Sequence, residues 1–228
     1  MRMLILGRGK TGRVVADIAR ERGHSVNVLD QKENQNAASL TPPSLAPFEA
    51  VIDFTTPEAV VANLRACLAT GAKVVVGTTG WYAHLEDMRA LADRKEAALL
   101  YSANFSFGVQ LLYKMAHLLG EEAAGYNFKI DETHHTDKLD SPSGTALALQ
   151  KVLAATPHGA SATIEAHRVA DAIGTHRLRV STEDERLIVE HQAISRRSFA
   201  YGAVRAAEWL AGRTGCYDFQ DVFTQVLT

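Results

Sequence analysis

The chain has 228 residues, 46% of them hydrophobic and 22% charged, with a formal net charge of −2. Such a composition suits a soluble globular protein with one large core or two small ones. It excludes any general electrostatic attraction to nucleic acid or to an anionic membrane, so an anion site must be local. Met3–Leu6 and Val26–Leu29 are short apolar runs on either side of a helical stretch, about Lys10 to Arg22. Val51–Phe54, Pro57–Ala69, Lys73–Val76, Leu85–Arg94 and Ala98–Tyr101 follow, alternating buried strands with amphipathic helices. That alternation predicts a parallel sheet covered on both faces.

From Asn127 the pattern changes. The longest strand-like segments, Phe128–His134, Ala162–Val169, His176–Ser181 and Arg186–Ala193, come in succession and are interrupted by a helix from about Pro142 to Ala155. They predict a second α+β domain with an open, mostly antiparallel or mixed sheet. In its last strand Leu187, Val189 and His191 face one way, and Arg186, Ile188, Glu190 and Gln192 the other, so one face should be more polar. A final helix, about Ser198–Ala211, carries Phe199, Val204, Ala207 and Leu210 on one stripe and is expected to return to the first domain. The fold class is therefore α/β, with a Rossmann-like domain at 1–107 completed by 197–228 and a second domain at 108–196. Two crossings, near 107 and 197, would make a hinge.

Cys67 and Cys216 lie far apart without metal-ligand spacing, and the opening Met-Arg-Met leads into a strand instead of a signal peptide. No apolar run approaches the roughly 18 residues of a spanning helix. A reduced, cytoplasmic protein with buried, inert cysteines is expected.

Gly7, Gly9 and Gly12 form Gly-x-Gly-x-x-Gly between the first strand and helix, with Lys10 and Thr11 between the last two glycines. Such glycines let the chain turn tightly, admit a pyrophosphate to the backbone and pack helix on strand. Asp30 ends the second strand, where a carboxylate accepts from adenosine ribose hydroxyls. NADH or NADPH is the expected cofactor. Lys10 and Lys32 could meet a 2′-phosphate that Asp30 would repel, which tilts the choice to NADH. Gly9-Lys10-Thr11 resembles the end of a Walker loop, but that loop needs a glycine where Leu4 stands. A second turn, Gly77-Thr78-Thr79-Gly80, follows a strand end, the edge where open α/β folds bind ligands; its plainer reading is an ordinary turn before a helix. Asn104 also follows a strand end, where its amide could pair with the cofactor carboxamide.

Residues 131–146 read DETHHTDKLDSPSGTA. Adjacent histidines on a strand point to opposite faces, so His134 and His135 can both serve a cleft only if the strand ends between them. Lys138 lies in a loop too polar for a core, and its plain alternative is a solvated charge. Asp140 through Thr145 looks like a helix start, with Pro142, hydroxyls and free backbone N–H groups forming an anion pocket. A metal reading of His134, His135, Asp137 and Asp140 is set aside, because no further ligand cluster supports it and Lys138 would repel the ion.

Here the chain resembles the dihydrodipicolinate (4-hydroxy-tetrahydrodipicolinate) reductase family, whose substrate domain carries E-x-H-H-x-x-K-x-D-x-P-S-G-T. The likeness extends to Phe54-Thr55-Thr56-Pro57-Glu58, Gly77–Gly80, Ala103–Ser106 with Gly108, Arg168 with Gly174 and His176, and Ser195-Arg196 through Gly202–Arg205, all in family order. It implies that His134 donates the proton and Lys138 is its cationic partner, while His135, Ser143, Gly144, Thr145 and Thr79 hold the carboxylates of a small dicarboxylate substrate. It also implies lysine and diaminopimelate biosynthesis and a homotetramer built through the second sheet. Hydride would add to a carbon conjugated with a ring imine, and a nearby acid would supply a proton. Domain closure would exclude water. One departure bears on the adenosine side: only twenty residues, 31–50, separate Asp30 from Val51, where the family has a longer stretch. It suggests an alternative, a nucleotide-binding sensor that has lost catalysis. A reductase of another cyclic imine is a further one.

Overall fold

In the computed structural model, which describes residues 1–136, 138 and 140–228, the strands are β1 (Arg2–Leu6), β2 (Ser25–Leu29), β3 (Ala50–Asp53), β4 (Lys73–Val76), β5 (Ala98–Tyr101), β6 (Asn127–His134), β7 (Thr163–Arg168), β8 (Thr175–Ser181), β9 (Arg186–Gln192) and β10 (Gly215–Asp218). The α-helices are α1 (Lys10–Glu21), α2 (Pro42–Leu45), α3 (Pro57–Ala69), α4 (Leu85–Arg94), α5 (Phe107–Glu122), α6 (Gly144–Ala154), α7 (Arg197–Leu210) and α8 (Phe219–Leu227). Two units result, Met1–Ser106 with Arg197–Thr228, and Phe107–Arg196. Among the described residues no helix is long and apolar enough to cross a membrane.

In the first unit six parallel strands form one Rossmann-like sheet in the order β10-β5-β4-β3-β1-β2. The strand order reverses around β1, which pairs with β2 on one side and β3 on the other, so the crevice between β1 and β3 is the switch point of the sheet. Continuous apolar runs explain the central strands: Met3–Leu6, Ala50–Ile52 and Val74–Val76 are all buried. Helix α1 buries Gly12, Val15, Ala16, Ile18 and Ala19, one stripe at helical spacing. Helix α3 starts on Pro57 and buries Val60, Leu64, Cys67 and Leu68. Burial pushes the Cys67 thiol up to about 12 and that of Cys216 up to about 11, which leaves both as thiols at neutral pH.

The second unit has the order β7-β6-β8-β9. Helices α5 and α6 supply Val109, Leu112, Ala116, Leu149 and Leu153 to a core with Phe128, Ile130, Leu178 and Val180 of the sheet. The sheet is mixed, because β6 runs parallel to β7 and antiparallel to β8. The opposite face is polar, with Asp131 paired to Arg179 and Lys129 to Glu165.

Four features depart from the sequence reading. Helix α5 was not anticipated; exposed Leu111, Met115 and Leu118 interleave with its buried residues and blur the helical period. Strand β10 and helix α8 were also unforeseen, since a four-residue, half-buried Gly-Cys-Tyr-Asp segment carries little strand signal. Helix α6 begins at Gly144, with Ser143 as its cap, so Pro142 precedes the helix. In α7 the fully buried stripe starts at Ala200, and Phe199 is only half-buried.

Candidate active site

The glycine turn follows β1 at the switch point. A Cβ on Gly12 would lie 2.2 Å from the carbonyl oxygen of Gly7, and one on Gly7, which has φ +101°, would lie 2.2 Å from that of Phe54. Only glycine fits both places. Gly9 caps α1 without a side-chain hydrogen bond, no acidic residue stands in the first turn, and no atom lies within 4 Å of where its Cβ would be. Lys10 and Thr11 open the helix itself. This uncapped helix start with open space before it fits a dinucleotide pyrophosphate. At the end of β2, Asp30 accepts from Gln31 N (2.7 Å), and Glu33 accepts from Asp30 N (3.0 Å) and pairs with Arg8 (3.5 Å). Glu33 and Arg8 are thus additional charged groups that the sequence reading did not single out.

Gly77–Gly80 follows β4, where a Cβ on Gly77 would lie 2.2 Å from the Phe54 ring. The Thr78 hydroxyl points inward: it donates to Asp53 (2.8 Å) and accepts from Thr55 N (2.9 Å). Thr79 is half-buried. Asn104 accepts from Ser106 N through its side-chain oxygen (2.9 Å), which shapes the turn after β5.

The second unit gathers the predicted acid–base residues on one sheet face. Strand β6 ends at His134, so His135 is released from the strand alternation. Positions 128, 130, 132 and 134 share the core face, and Glu132 lies opposite His176 on β8. That face changes along its length from Phe128 and Ile130 to a polar cluster. Glu132 is fully buried; its Oε2 lies 3.0 Å from Nδ1 of His134, and its Oε1 accepts from Ser143 N (3.0 Å) and Arg168 Nη1 (3.3 Å). Burial alone would raise the Glu132 carboxyl, but His134 and the Ser143 hydrogen bond pull it down to about 2. Glu132 Oε2 thus sits within ion-pair distance of His134 Nδ1, and the Nε2 of that ring faces Gly174. Gly174 keeps that nitrogen clear, since a Cβ there would lie 3.0 Å from Nε2.

Ser143 joins this cluster to α6. Its Oγ accepts from Ala146 N (3.2 Å) and lies 3.3 Å from Nε2 of His176. Gly144 N donates to Asp140 (3.3 Å), and Lys138 Nζ pairs with the same carboxylate at 2.8 Å. Lys138 is thus held beside the helix start instead of being a solvated charge, and Thr145 is buried one residue on. Arg168 fastens the loop by donating to Asp140 O (2.6 Å).

Glu132, His176 and Arg168 complete the cluster, and the sequence reading gave them no role. The signal was present: Glu132 and His134 are two apart on a strand and must share a face. Among the described residues, Glu132, His134 and His176 are close enough to hold a metal ion, as are Asp131, Glu165 and His167. In the first group Arg168 and Ser143 already engage the carboxylate; in the second, Arg179 and Lys129 pair with the acids. Asp137, in the metal reading above, lies outside the described residues.

His176 makes stability sensitive to acid. Desolvation, then repulsion from His134, lowers its ring to about 3 from an ordinary 6.5. Between those values the unfolded chain binds a proton that the folded ring refuses. The stabilising contribution is therefore complete above pH 6.5 and is lost as pH falls toward 3, at about 1.4 kcal/mol per pH unit. Urea melts from pH 7 to 4 are expected to show this slope, and His176→Asn to remove it.

A parallel Rossmann sheet with an uncapped glycine turn, joined to a unit bearing a carboxylate-supported imidazole, defines a dinucleotide-dependent oxidoreductase. Residues 1–105 match "Dihydrodipicolinate reductase, N-terminus" and residues 108–223 match "Dihydrodipicolinate reductase, C-terminus". The chain belongs to the dihydrodipicolinate reductase family. It is 31% identical to a 4-hydroxy-tetrahydrodipicolinate reductase of Christiangramia forsetii over 99% of each chain. It is 36% identical to one of Natronomonas pharaonis over 97% of this chain and 99% of that one. In fold it is similar to the dipicolinate-bound dihydrodipicolinate reductase of Paenisporosarcina sp. TG-14, with a TM-score of 0.75, 24% identity, and coverage of 97% of this chain and 99% of that one.

Proposed function

We propose that the protein reduces 4-hydroxy-tetrahydrodipicolinate, in its dehydrated form, to tetrahydrodipicolinate with NADH or NADPH, in the cytoplasm, for lysine and diaminopimelate synthesis. The observation that carries this reading is the buried Glu132–His134 pair, set on one sheet face with the Ser143 cap of α6. The names of the curated relatives agree with it.

A bound nicotinamide supplies the hydride. Gly7, Gly9, Lys10, Thr11 and Gly12 hold its pyrophosphate, Asp30 the adenosine ribose, and Gly77, Thr78, Thr79 and Asn104 the nicotinamide end. His134, oriented by Glu132, delivers a proton from Nε2 to the ring. Lys138 counters the negative charge that develops there. His135, Ser143, Gly144, Thr145 and Thr79 hold the substrate carboxylates; in this reading the substrate displaces Asp140 from Gly144 N and Lys138. The polar sheet face, where Ile188 is 48% exposed, is the surface through which four copies assemble.

The test is loss of absorbance at 340 nm with NADH and with NADPH, the substrate being generated in place from pyruvate and aspartate semialdehyde by the preceding synthase. Oxidation that depends on that substrate is expected, with the higher kcat/KM for NADH because Asp30 and Glu33 both oppose a 2′-phosphate. Tight cofactor binding without turnover would favour the sensor reading, and turnover of other cyclic imines alone would reassign the substrate.

A further inference from the structure

Asp53, the last residue of β3, is 0% exposed, although the other three residues of its strand are apolar. Its carboxylate accepts four hydrogen bonds, from Thr55 N (2.9 Å), Thr55 Oγ1 (2.7 Å), Asn63 Nδ2 (2.9 Å) and Thr78 Oγ1 (2.8 Å). All four donors are neutral. Burial of a carboxyl on neutral donors is unfavourable against an apolar side chain of the same size, and desolvation duly raises its pKa. What the carboxylate achieves is geometric. Thr55 lies in the turn after β3 and Thr78 in the turn after β4, and Thr55 N also donates to Thr78 Oγ1 (2.9 Å).

The chain of bonds runs on toward the other end of the sheet edge. Asn63, 2% exposed on α3, accepts through Oδ1 from Asn34 Nδ2 (3.0 Å), and Asn34, 7% exposed, accepts from Ser39 N (3.2 Å). Asn34 and Ser39 belong to the short 31–50 stretch, where Asn36 and Ala37 take positive φ. One buried polar chain therefore ties the turns after β3 and β4 to the segment after β2.

We propose that Asp53 is a positioning residue for the cofactor: its carboxylate fixes the Thr55 and Thr78 turns and, through Asn63 and Asn34, the segment that follows β2, so that the two ends of the dinucleotide site are set together. The proposal rests on the cofactor reading given above. In this chain the Asp53 network adds a buried polar anchor for the 31–50 stretch, at Asn34, to the apolar anchors Leu40 and Leu45.

The test is the Kd for NADH and for NADPH, by fluorescence of the bound cofactor, in the full chain and its variants. Asp53→Asn keeps one oxygen for the Thr55 and Thr78 donors but sets an amide nitrogen against Asn63 Nδ2, and it is expected to weaken the tighter cofactor about tenfold, which is about 1.4 kcal/mol. Thr55→Val, which removes the Oγ1 bond to Asp53, should reproduce that loss and Thr55→Ser should not. Asn34→Ala should weaken binding several-fold, on the order expected for one buried hydrogen bond. The Asp53→Asn/Asn34→Ala double variant should fall short of the sum of the singles, as coupled sites do. Wild-type Kd values in Asp53→Asn and Thr55→Val, even with lowered melting temperatures, overturn the proposal, as does strict additivity in the double variant. If Asp53→Asn does not fold, the Thr55 pair decides: equal affinities of the Val and Ser variants overturn it. A wild-type protein that binds neither cofactor would instead overturn the underlying reading, and the proposal with it.

Discussion

His134→Gln is expected to lower kcat by about 10²–10⁴-fold, the range for loss of a positioned general acid, while the Kd for the cofactor stays at the wild-type value. A glutamine amide can still meet Glu132 Oε2, which lies 3.0 Å from Nδ1 in the native protein, but it carries no transferable proton. The residues proposed to hold the cofactor lie on the first unit and His134 on the second, so binding and turnover should separate cleanly. Single-turnover rates and cofactor titrations on the same preparation make the check. A variant with wild-type kcat strikes His134 from the donor role.

Glu132→Gln is expected to affect both stability and rate. The carboxylate is fully buried and serves His134, Ser143 N and Arg168 at once. Removing its charge weakens the bonds from Ser143 N and from Arg168, whose side chain is 21% exposed, a loss of about 1.5–3 kcal/mol as for hydrogen bonds to a charged group. The amide also fails to stabilise a protonated His134, so kcat should fall by on the order of 10²-fold. Guanidinium melts give the first quantity; assays well below the unfolding midpoint give the second. A folded variant with wild-type turnover shows that the carboxylate is only structural. The native group itself is acid-tolerant. Held at about 2, it contributes stability in full above its ordinary 4.5, and that contribution is lost progressively as pH falls from 4.5 to 2.

Much of this was legible in the sequence because the first unit follows local rules. Pro57–Ala69, Lys73–Val76, Leu85–Arg94 and Ala98–Tyr101 appear with the bounds that their apolar periodicity and flanking breakers predict. The mixed second sheet was legible as four strands, but not the parallel pairing of β6 with β7, which depends on contacts distant in sequence. Within the site, His134, Lys138 and Ser143 stood out as chemistry-bearing residues in a short segment. His176 did not, since only the register of β8 against β6 brings it to Glu132. Asp53 was invisible for a related reason. A single acid at the end of Ala50-Val51-Ile52 looks like the polar end of a strand, and its four donors come from three separate segments.

The path of the chain through the two units imposes an order on synthesis. At residue 106 five strands of the first sheet exist, but α7, which packs on β3, β4 and β5, and the edge strand β10 are still untranslated. The Phe107–Arg196 unit is continuous in sequence and has all its strands before α7 is made. At ribosomal rates of about 5–20 residues per second, the first sheet waits on the order of ten seconds with an apolar face bare. The nucleotide unit, though it emerges first, is thus the last to close, and it is the part of the nascent chain that calls for chaperone protection.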